Sequence, residues 1–478
     1  MISFINKALP PLLGMALAGC AVTSPEAQRE ALGPLLAGRT GNVQISPADL
    51  APARTPSTDM VARIDALLAA PLTAEAAVRM AVLNNPGLQA SLATLQLGEA
   101  ERARVAQPPN PVLRFSRLVE GQGLEIDRAL RFDVLGLLTL PWRLRWQERQ
   151  LALVQVQAAQ DVIRLAADTR KAWLRAVAAQ QVADYTDIAR EAAEAAAELA
   201  RRRVRAGNDS RYSQAREQAQ LADAVLQVTR ARQAALRERE QLARLLGLPD
   251  SRRLPLPPHL PELPATLSLD LTAAETMALR DRLDVRAAHD EVDNLADSMG
   301  LNRLSATLGE TNFSVQRNTA FAGDGGPRHT QHGWELEIPV PIFDAGGARH
   351  ARAQAQLLGA TARAREVAVR ARSEVREAWH AWHATHAVAR QYQDHIVPLH
   401  KLIHEETVLR YNGMLLGTRD LLAETRRQAL TVAAAIEAQR DFWVADTDLH
   451  VAVTSASPSA LAALDSPTAA SADTTAGH

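Results

Sequence analysis

Apolar residues return at three- and four-residue steps over long stretches of the chain. Leu151, Val154, Ala158, Val162, Leu165 and Ala166 form such a series, the stripe of a helix packed on one side. From Trp142 to Ala206, 65 residues pass without Pro or Gly, and from Asn208 to Leu246 another 39 do the same. At 1.5 Å per residue the first stretch spans roughly 95 Å as one helix. Helices of that length cannot bury their stripes alone, so antiparallel packing, and packing against other subunits, is expected. Two segments change to period two. In 126–134, Ile126, Leu130, Phe132 and Val134 alternate with Asp127, Ala129, Arg131 and Asp133. In 334–342, Trp334, Leu336, Ile338, Val340 and Ile342 alternate with Glu335, Glu337, Pro339 and Pro341. One apolar face at period two predicts strands.

Each strand has a candidate partner. Residues 112–119 precede the turn Gly121-Gln122-Gly123, and 304–316 precede a polar loop over 317–333. The order predicts two copies of one plan, with strands about 112–119 and 126–137 in the first and 304–316 and 334–342 in the second. The first repeat occupies 72–255, with a helical hairpin over 142–246. The second occupies 271–450, with a hairpin over 348–450. Leu72-Thr73-Ala74-Glu75 and Leu271-Thr272-Ala273-Ala274 open them, 199 residues apart, and Gly207 and Gly413 are 206 apart. Residues 20–71 read as a tether with a short helix near Val61–Leu68, and 451–478 as a disordered tail. The expected fold is mainly α with a small β part: two β-hairpins, each followed by a long antiparallel helical hairpin.

Composition narrows the function. With 53 basic and 54 acidic residues the net charge is −1, so nothing favours a nucleic-acid partner, which would select a basic face. Only 18 aromatics occur in 478 residues, and 8 of them fall within 111–146 and 303–343, the strand regions. Aromatic girdles beside alternating strands characterise a transmembrane β-barrel, while two soluble hairpins capping a helical rod are the other reading. Four strands cannot enclose a lumen, since even a side-chain-filled barrel takes about eight; a barrel therefore requires several subunits. The sole cysteine, Cys20, excludes a disulfide framework. Residues 1–19, with Lys7 before an apolar stretch, read as a signal peptide. They end in Leu17-Ala18-Gly19-Cys20, which resembles a bacterial lipobox with Cys20 acylated; Ala21 after it favours the outer membrane by that resemblance. After Cys20 no apolar run of 18 residues follows, so no spanning helix is expected.

Several motifs resemble those of TolC-like outer-membrane efflux proteins. Leu72-Thr73-Ala74-Glu75-Ala76-Ala77 with Asn84-Asn85-Pro86 is similar to the family's opening helix, and Pro109-Asn110-Pro111 to the approach to its first strand. Ile338-Pro339-Val340-Pro341-Ile342-Phe343-Asp344-Ala345-Gly346-Gly347 resembles the segment leaving its last strand. Val204-Arg205-Ala206-Gly207-Asn208-Asp209-Ser210, and Tyr411-Asn412-Gly413 through Asp420-Leu421-Leu422, resemble its two helical-hairpin turns. The resemblance implies a homotrimer, a 12-stranded outer-membrane barrel and an α-helical periplasmic tunnel. It also implies a periplasmic adaptor protein and an inner-membrane pump as partners. Arg205, Gly207, Ser210, Tyr411, Gly413 and Thr418 are then the adaptor-contacting tip, Asp420 and Asp209 the gate candidates, and Trp334, Leu336, Ile338 and Val340 the lipid-facing surface. Two departures stand out: Ser213 replaces the family's usual aspartate, and the second turn is one residue longer than usual.

No catalytic constellation is found: no nucleophile elbow, P-loop or dinucleotide fingerprint, and Gly323, Gly325 and Gly326 precede no helix. No cofactor is expected. Eleven of 13 histidines fall between His289 and His450. His380 and His383 share a predicted helix and are weak metal candidates, with packed or solvated side chains as the other reading. The expected function is a passive trimeric lipoprotein duct exporting small molecules or metal ions. A coiled-coil periplasmic lipoprotein without a channel, a metal-binding lipoprotein and a type I secretion exit duct are the alternatives.

Overall fold

Thr73 accepts the Ala76 N–H with its hydroxyl and so starts the first well-capped helix of the computed structural model. The structure describes residues 25–41, 43–50, 58–120, 123–308, 311–321, 327–338 and 347–456. Signal-peptide residues 1–19, Cys20, Val340 and the tail beyond 456 lie outside them. The elements run α1 (Pro25–Leu36), α2 (Thr58–Leu68), α3 (Ala74–Asn84), α4 (Pro86–Ala106), β1 (Val112–Glu120), β2 (Gly123–Asp133), α5 (Val134–Arg205) and α6 (Arg211–Leu245). The second series is α7 (Leu271–Asp281), α8 (Leu283–Leu308), β3 (Asn312–Phe321), β4 (His329–Glu337), α9 (Gly347–Gln391), α10 (Val397–Asn412) and α11 (Thr418–Thr454). The same order, two short helices, a strand pair and long helices, thus occurs twice.

Two compact units are present. Of the described residues, the first holds those within 25–30, 93–157 and 286–367. Its four strands form one antiparallel sheet in the order β1-β2-β3-β4. Beside it, Gly98 of α4 brings that helix against Leu151 and Val154 of α5, where a Cβ would lie 3.3 Å from Leu151.

The strand limits correct the sequence expectation in three places. β2 stops at Asp133, not near 137, because the Asp133 carboxylate accepts the Gly136 N–H at 2.7 Å and caps α5. α5 therefore starts eight residues before Trp142 and runs through Pro141, 72 residues in all. Residues 304–308 belong to α8, and β3 begins only at Asn312 and continues to Phe321. The expected polar loop 317–333 shrinks accordingly, since β4 begins at His329.

Of the described residues, the second unit holds those within 31–92, 158–285 and 368–456. Its core packs Leu72, Ala77, Met80 and Ala81 against Trp173, Val177, Leu242, Leu246 and Ile436. Another cluster joins Ala274 and Ala278 to Val375, Trp382, Phe442, Leu449 and Val453. The duplication is visible in two hydrogen bonds: Trp173 donates its indole N–H to the Leu72 carbonyl at 2.7 Å, and Trp379 donates to the Leu269 carbonyl at 2.9 Å. The tether reading fails for 31–50, where Leu32, Leu36, Val43 and Leu50 are buried. Burial of those four apolar side chains outweighs the freedom of a polar-looking segment. The tail also begins later than expected. α11 runs to Thr454 with Val451 and Val453 buried, and the Ser455 carbonyl accepts the Leu283 N–H at 3.0 Å. A π-helical turn, Tyr392–Ile396, separates α9 from α10. It precedes Pro398, which has no N–H for the regular helical bond.

Candidate functional site: sheet face and hairpin turns

The sheet register sorts side chains onto two faces, since residues directly paired share a face and neighbours along a strand do not. Phe132 pairs with Phe313 and Phe313 with Leu336; Leu113 pairs with Leu130, Leu130 with Val315 and Val315 with Trp334. These apolar side chains therefore make one face. Trp334 is 70% exposed, Leu336 48% and Ile338 54%. The opposite face carries Glu125, Asp127 and Asp133 of β2, Asn312, Ser314, Gln316 and Asn318 of β3, and Glu335 and Glu337 of β4. Its polar groups bond across strands: Asn318 donates to Glu125, and Ser314 to Glu335 at 3.4 Å. Among the described residues no helix is long and apolar enough to cross a membrane. The apolar sheet face is exposed, and so are Leu137, Leu138, Trp142 and Trp146 at the start of α5.

The two helical-hairpin turns belong to the second unit. α5 ends in a glycine cap: Gly207 takes φ +74, and the Asn208 N–H bonds to the Arg203 carbonyl at 2.8 Å. That left-handed conformation is what a glycine allows freely. Ser210 caps α6 by accepting the Ser213 N–H at 3.1 Å. Asp209 accepts the Ser210 N–H at 2.8 Å and the Ser213 hydroxyl at 3.2 Å. These bonds, the backbone one foremost, with Arg203 and Arg419 nearby, hold its carboxyl below the usual range. In the second turn the left-handed residue is Met414, φ 59, rather than Gly413, and Met414 is 94% exposed. Asp420 stands in the first turn of α11 and accepts the Gly417 N–H at 3.3 Å.

The turns are tied together through Arg419 and Arg426, which sequence reading passed over. Arg419 pairs with Glu217 at 2.6 Å and donates to the Ser213 hydroxyl at 3.2 Å; Arg426 donates to Gln220 at 3.0 Å. Ser213 is thereby the acceptor that joins α11 to α6 and also the donor to Asp209. A signal was available: Ser213 to Arg419 and Gln220 to Arg426 both span 206 residues, the offset of Gly207 and Gly413. Arg205, Gly207 and Ser210 thus lie in one turn, and Tyr411, Gly413 and Thr418 in the other; Arg419 brings the helices that follow them side by side.

The histidines are not gathered. His380 and His383 both lie against Trp379, with ring centroids 5.1 and 3.9 Å away. His386 bonds the Pro264 carbonyl at 2.9 Å, and His400 faces Glu424 at 3.4 Å. Among the described residues no three metal-type side chains converge.

The chain matches no protein-family model, and no curated protein resembles it significantly in sequence. Its fold, in contrast, is shared with several solved structures. A membrane protein from Pseudomonas aeruginosa superposes with a TM-score of 0.64 at 18% identity, over 80% of this chain and 93% of that one. The Campylobacter jejuni outer membrane channel CmeC gives 0.63 at 15%, over 80% and 85%. The outer-membrane channel OprN gives 0.62 at 18%, over 82% and 91%. The chain therefore has the fold of outer-membrane channels, the fold to which its TolC-like motifs pointed.

Proposed function

We propose that the protein is the passive exit duct of a tripartite efflux system, a trimer in the bacterial outer membrane anchored also by acylated Cys20. The observation that carries this reading is the two-faced sheet: an exposed apolar face, a polar opposite face, and two unpaired edges at β1 and β4. Open edges of this kind need a partner strand, and in hydrocarbon only a closed barrel satisfies them. Three copies supply 12 strands, enough for a water-filled lumen lined by Glu125, Asp127, Glu335 and Glu337. The long helices of the three copies form the periplasmic tunnel, and the turns at Gly207 and Gly413 stand at its far end. There Arg205, Gly207, Ser210, Tyr411, Gly413 and Thr418 meet a periplasmic adaptor, itself bound to an inner-membrane pump that supplies the energy. Asp420, with Asp209, rings the entrance. Small molecules or metal ions are the cargo, and no chemistry is done on them.

Membrane fractionation tests the reading. Full-length protein should recover with outer membranes, resist carbonate extraction, and run as a trimer in unheated detergent gels. Recovery of the whole population as soluble periplasmic monomer would overturn it.

A further inference from the structure

One row of the sheet's apolar face is cationic. Phe115 of β1 pairs with Arg128 of β2, Arg128 with Arg317 of β3, and Arg317 with His332 of β4. The register thus sets two guanidinium side chains and an imidazole side by side across three strands. The next row toward the strand-joining turns adds Arg117, opposite Ile126. Arg117, Arg128, Arg317 and His332 are all exposed. None of the described positions on this face is a carboxylate; the acidic residues of β2 and β4 all fall on the other face. Like charges directly opposite each other repel, so this row asks for an anion that the sheet does not supply.

The position of the row says which anion. Two apolar rows, Phe132-Phe313-Leu336 and Leu113-Leu130-Val315-Trp334, lie between it and the helices. Successive rows on one face are about 6.8 Å apart along a strand. Two further rows, Arg117-Ile126-Thr319-Thr330 and Val119-Leu124-Phe321, lie between the cationic row and the strand-joining turns, so it is the third of five. The helix-bearing end is the periplasmic one if the sheet belongs to the proposed barrel, so Arg117 lies in the outer half and the stems of Arg128 and Arg317 extend toward it. A guanidinium facing hydrocarbon is costly, and its long stem lets it reach the headgroup level. Arginine matches phosphate oxygens with two parallel donors.

We infer that Arg128 and Arg317, with Arg117 and His332 beside them, bind the phosphate groups of a phosphorylated outer-leaflet glycolipid on the outside of the sheet. In a trimer the row repeats three times around the barrel. This inference rests on the barrel reading, and the experiment separates the two.

Full-length protein is purified in detergent, stripped of lipid, and incubated with a bisphosphorylated acylated glucosamine disaccharide. Parallel samples receive the dephosphorylated disaccharide or phosphatidylglycerol, and retained lipid is counted by native mass spectrometry. Wild type should retain the bisphosphorylated glycolipid about tenfold better than either comparison lipid. The R128Q/R317Q pair should lose that preference, R128K/R317K should keep part of it, and R114Q/R131Q, on the opposite face, should keep all of it. Equal retention of phosphorylated and dephosphorylated glycolipid by wild type would overturn the inference, and that arm needs no variant to fold. Flotation with outer-membrane vesicles is measured on the same preparation. Wild type that floats but shows no phosphate preference removes this inference alone, whereas wild type that does not float removes the barrel reading and this inference with it.

Discussion

Arg282 stands between α7 and α8 with none of its side chain exposed. It donates to Asp284 at 2.7 and 2.9 Å, to Glu374 at 3.0 Å and to the Ala452 carbonyl at 3.1 Å. One guanidinium therefore joins the start of α8, the middle of α9 and the end of α11 within the second unit. Removing one member of a buried ion group leaves the others unpaired and costs about 3–5 kcal/mol. Arg282→Ala should lower the free energy of chemical unfolding by an amount of that size, while Arg280→Ala next to it, exposed and paired with Asp281, should change it by less than about 1 kcal/mol. Equal effects at the two positions would show that the buried cluster contributes nothing special. Nothing in the sequence marks Arg282, because its partner Glu374 is 92 residues away and charge alone does not reveal burial. Asn84 and Asn85 were legible as a motif but not as a mechanism. Their side-chain amides donate to the Leu245, Leu246 and Gly247 carbonyls at 2.9 Å, closing the C-terminus of α6. Gly247 has φ +66, and a Cβ there would meet the Asn84 carbonyl at 2.4 Å, so this contact admits only glycine.

Among the elements, the strands whose apolar residues alternate over several positions were the readable ones. β2 and β4 showed themselves through Ile126, Leu130 and Phe132 and through Trp334 and Leu336. β3 was expected over 304–316 but runs from Asn312 to Phe321, because 304–308 read as strand and Asn318 as a loop residue. Asn318 instead extends the polar face of Asn312, Ser314 and Gln316, opposite a face that holds Phe313, Val315 and Phe321. The long helices were legible from their stripes and the absence of Pro and Gly, but not their first turns, since Pro141 suggested a boundary that the Asp133 cap had already set. The two-sidedness of β4 makes a sharp test. Leu336 and Glu337 are adjacent but on opposite faces, Leu336 paired with Phe313 and Glu337 with Asn312. An arginine facing lipid costs up to about 2–4 kcal/mol at mid-bilayer and less toward an interface, and one facing the lumen costs little. Leu336→Arg should reduce assembled trimer in membranes, and Glu337→Arg should leave it near wild type. Equal assembly of both variants would contradict the face assignment.

At the scale of the whole molecule, symmetry turns single side chains into rings. In the proposed trimer each hairpin end appears three times, so the exposed carboxylate of Asp420 approaches two copies of itself at the tunnel entrance. Three carboxylates around a narrow axis attract cations strongly, because the interaction grows as the separation falls and as water is excluded. Within one chain the same carboxylate accepts the Gly417 N–H at 3.3 Å, which stabilises the start of α11. The two roles separate under one substitution. Asparagine keeps an oxygen able to accept that N–H and is itself a good residue at a helix start, but it carries no charge. Asp420→Asn trimers should therefore form normally and melt near the wild-type temperature. In planar bilayers they should lose most of the block by divalent cations added from the periplasmic side, and their preference for cations over anions should fall. Unchanged block and selectivity in correctly assembled trimers would reduce Asp420 to its capping role. The entrance charge would then have to come from Asp209, whose carboxyl is held below the usual range chiefly by the Ser210 N–H and which the corresponding Asp209→Asn trimer would test.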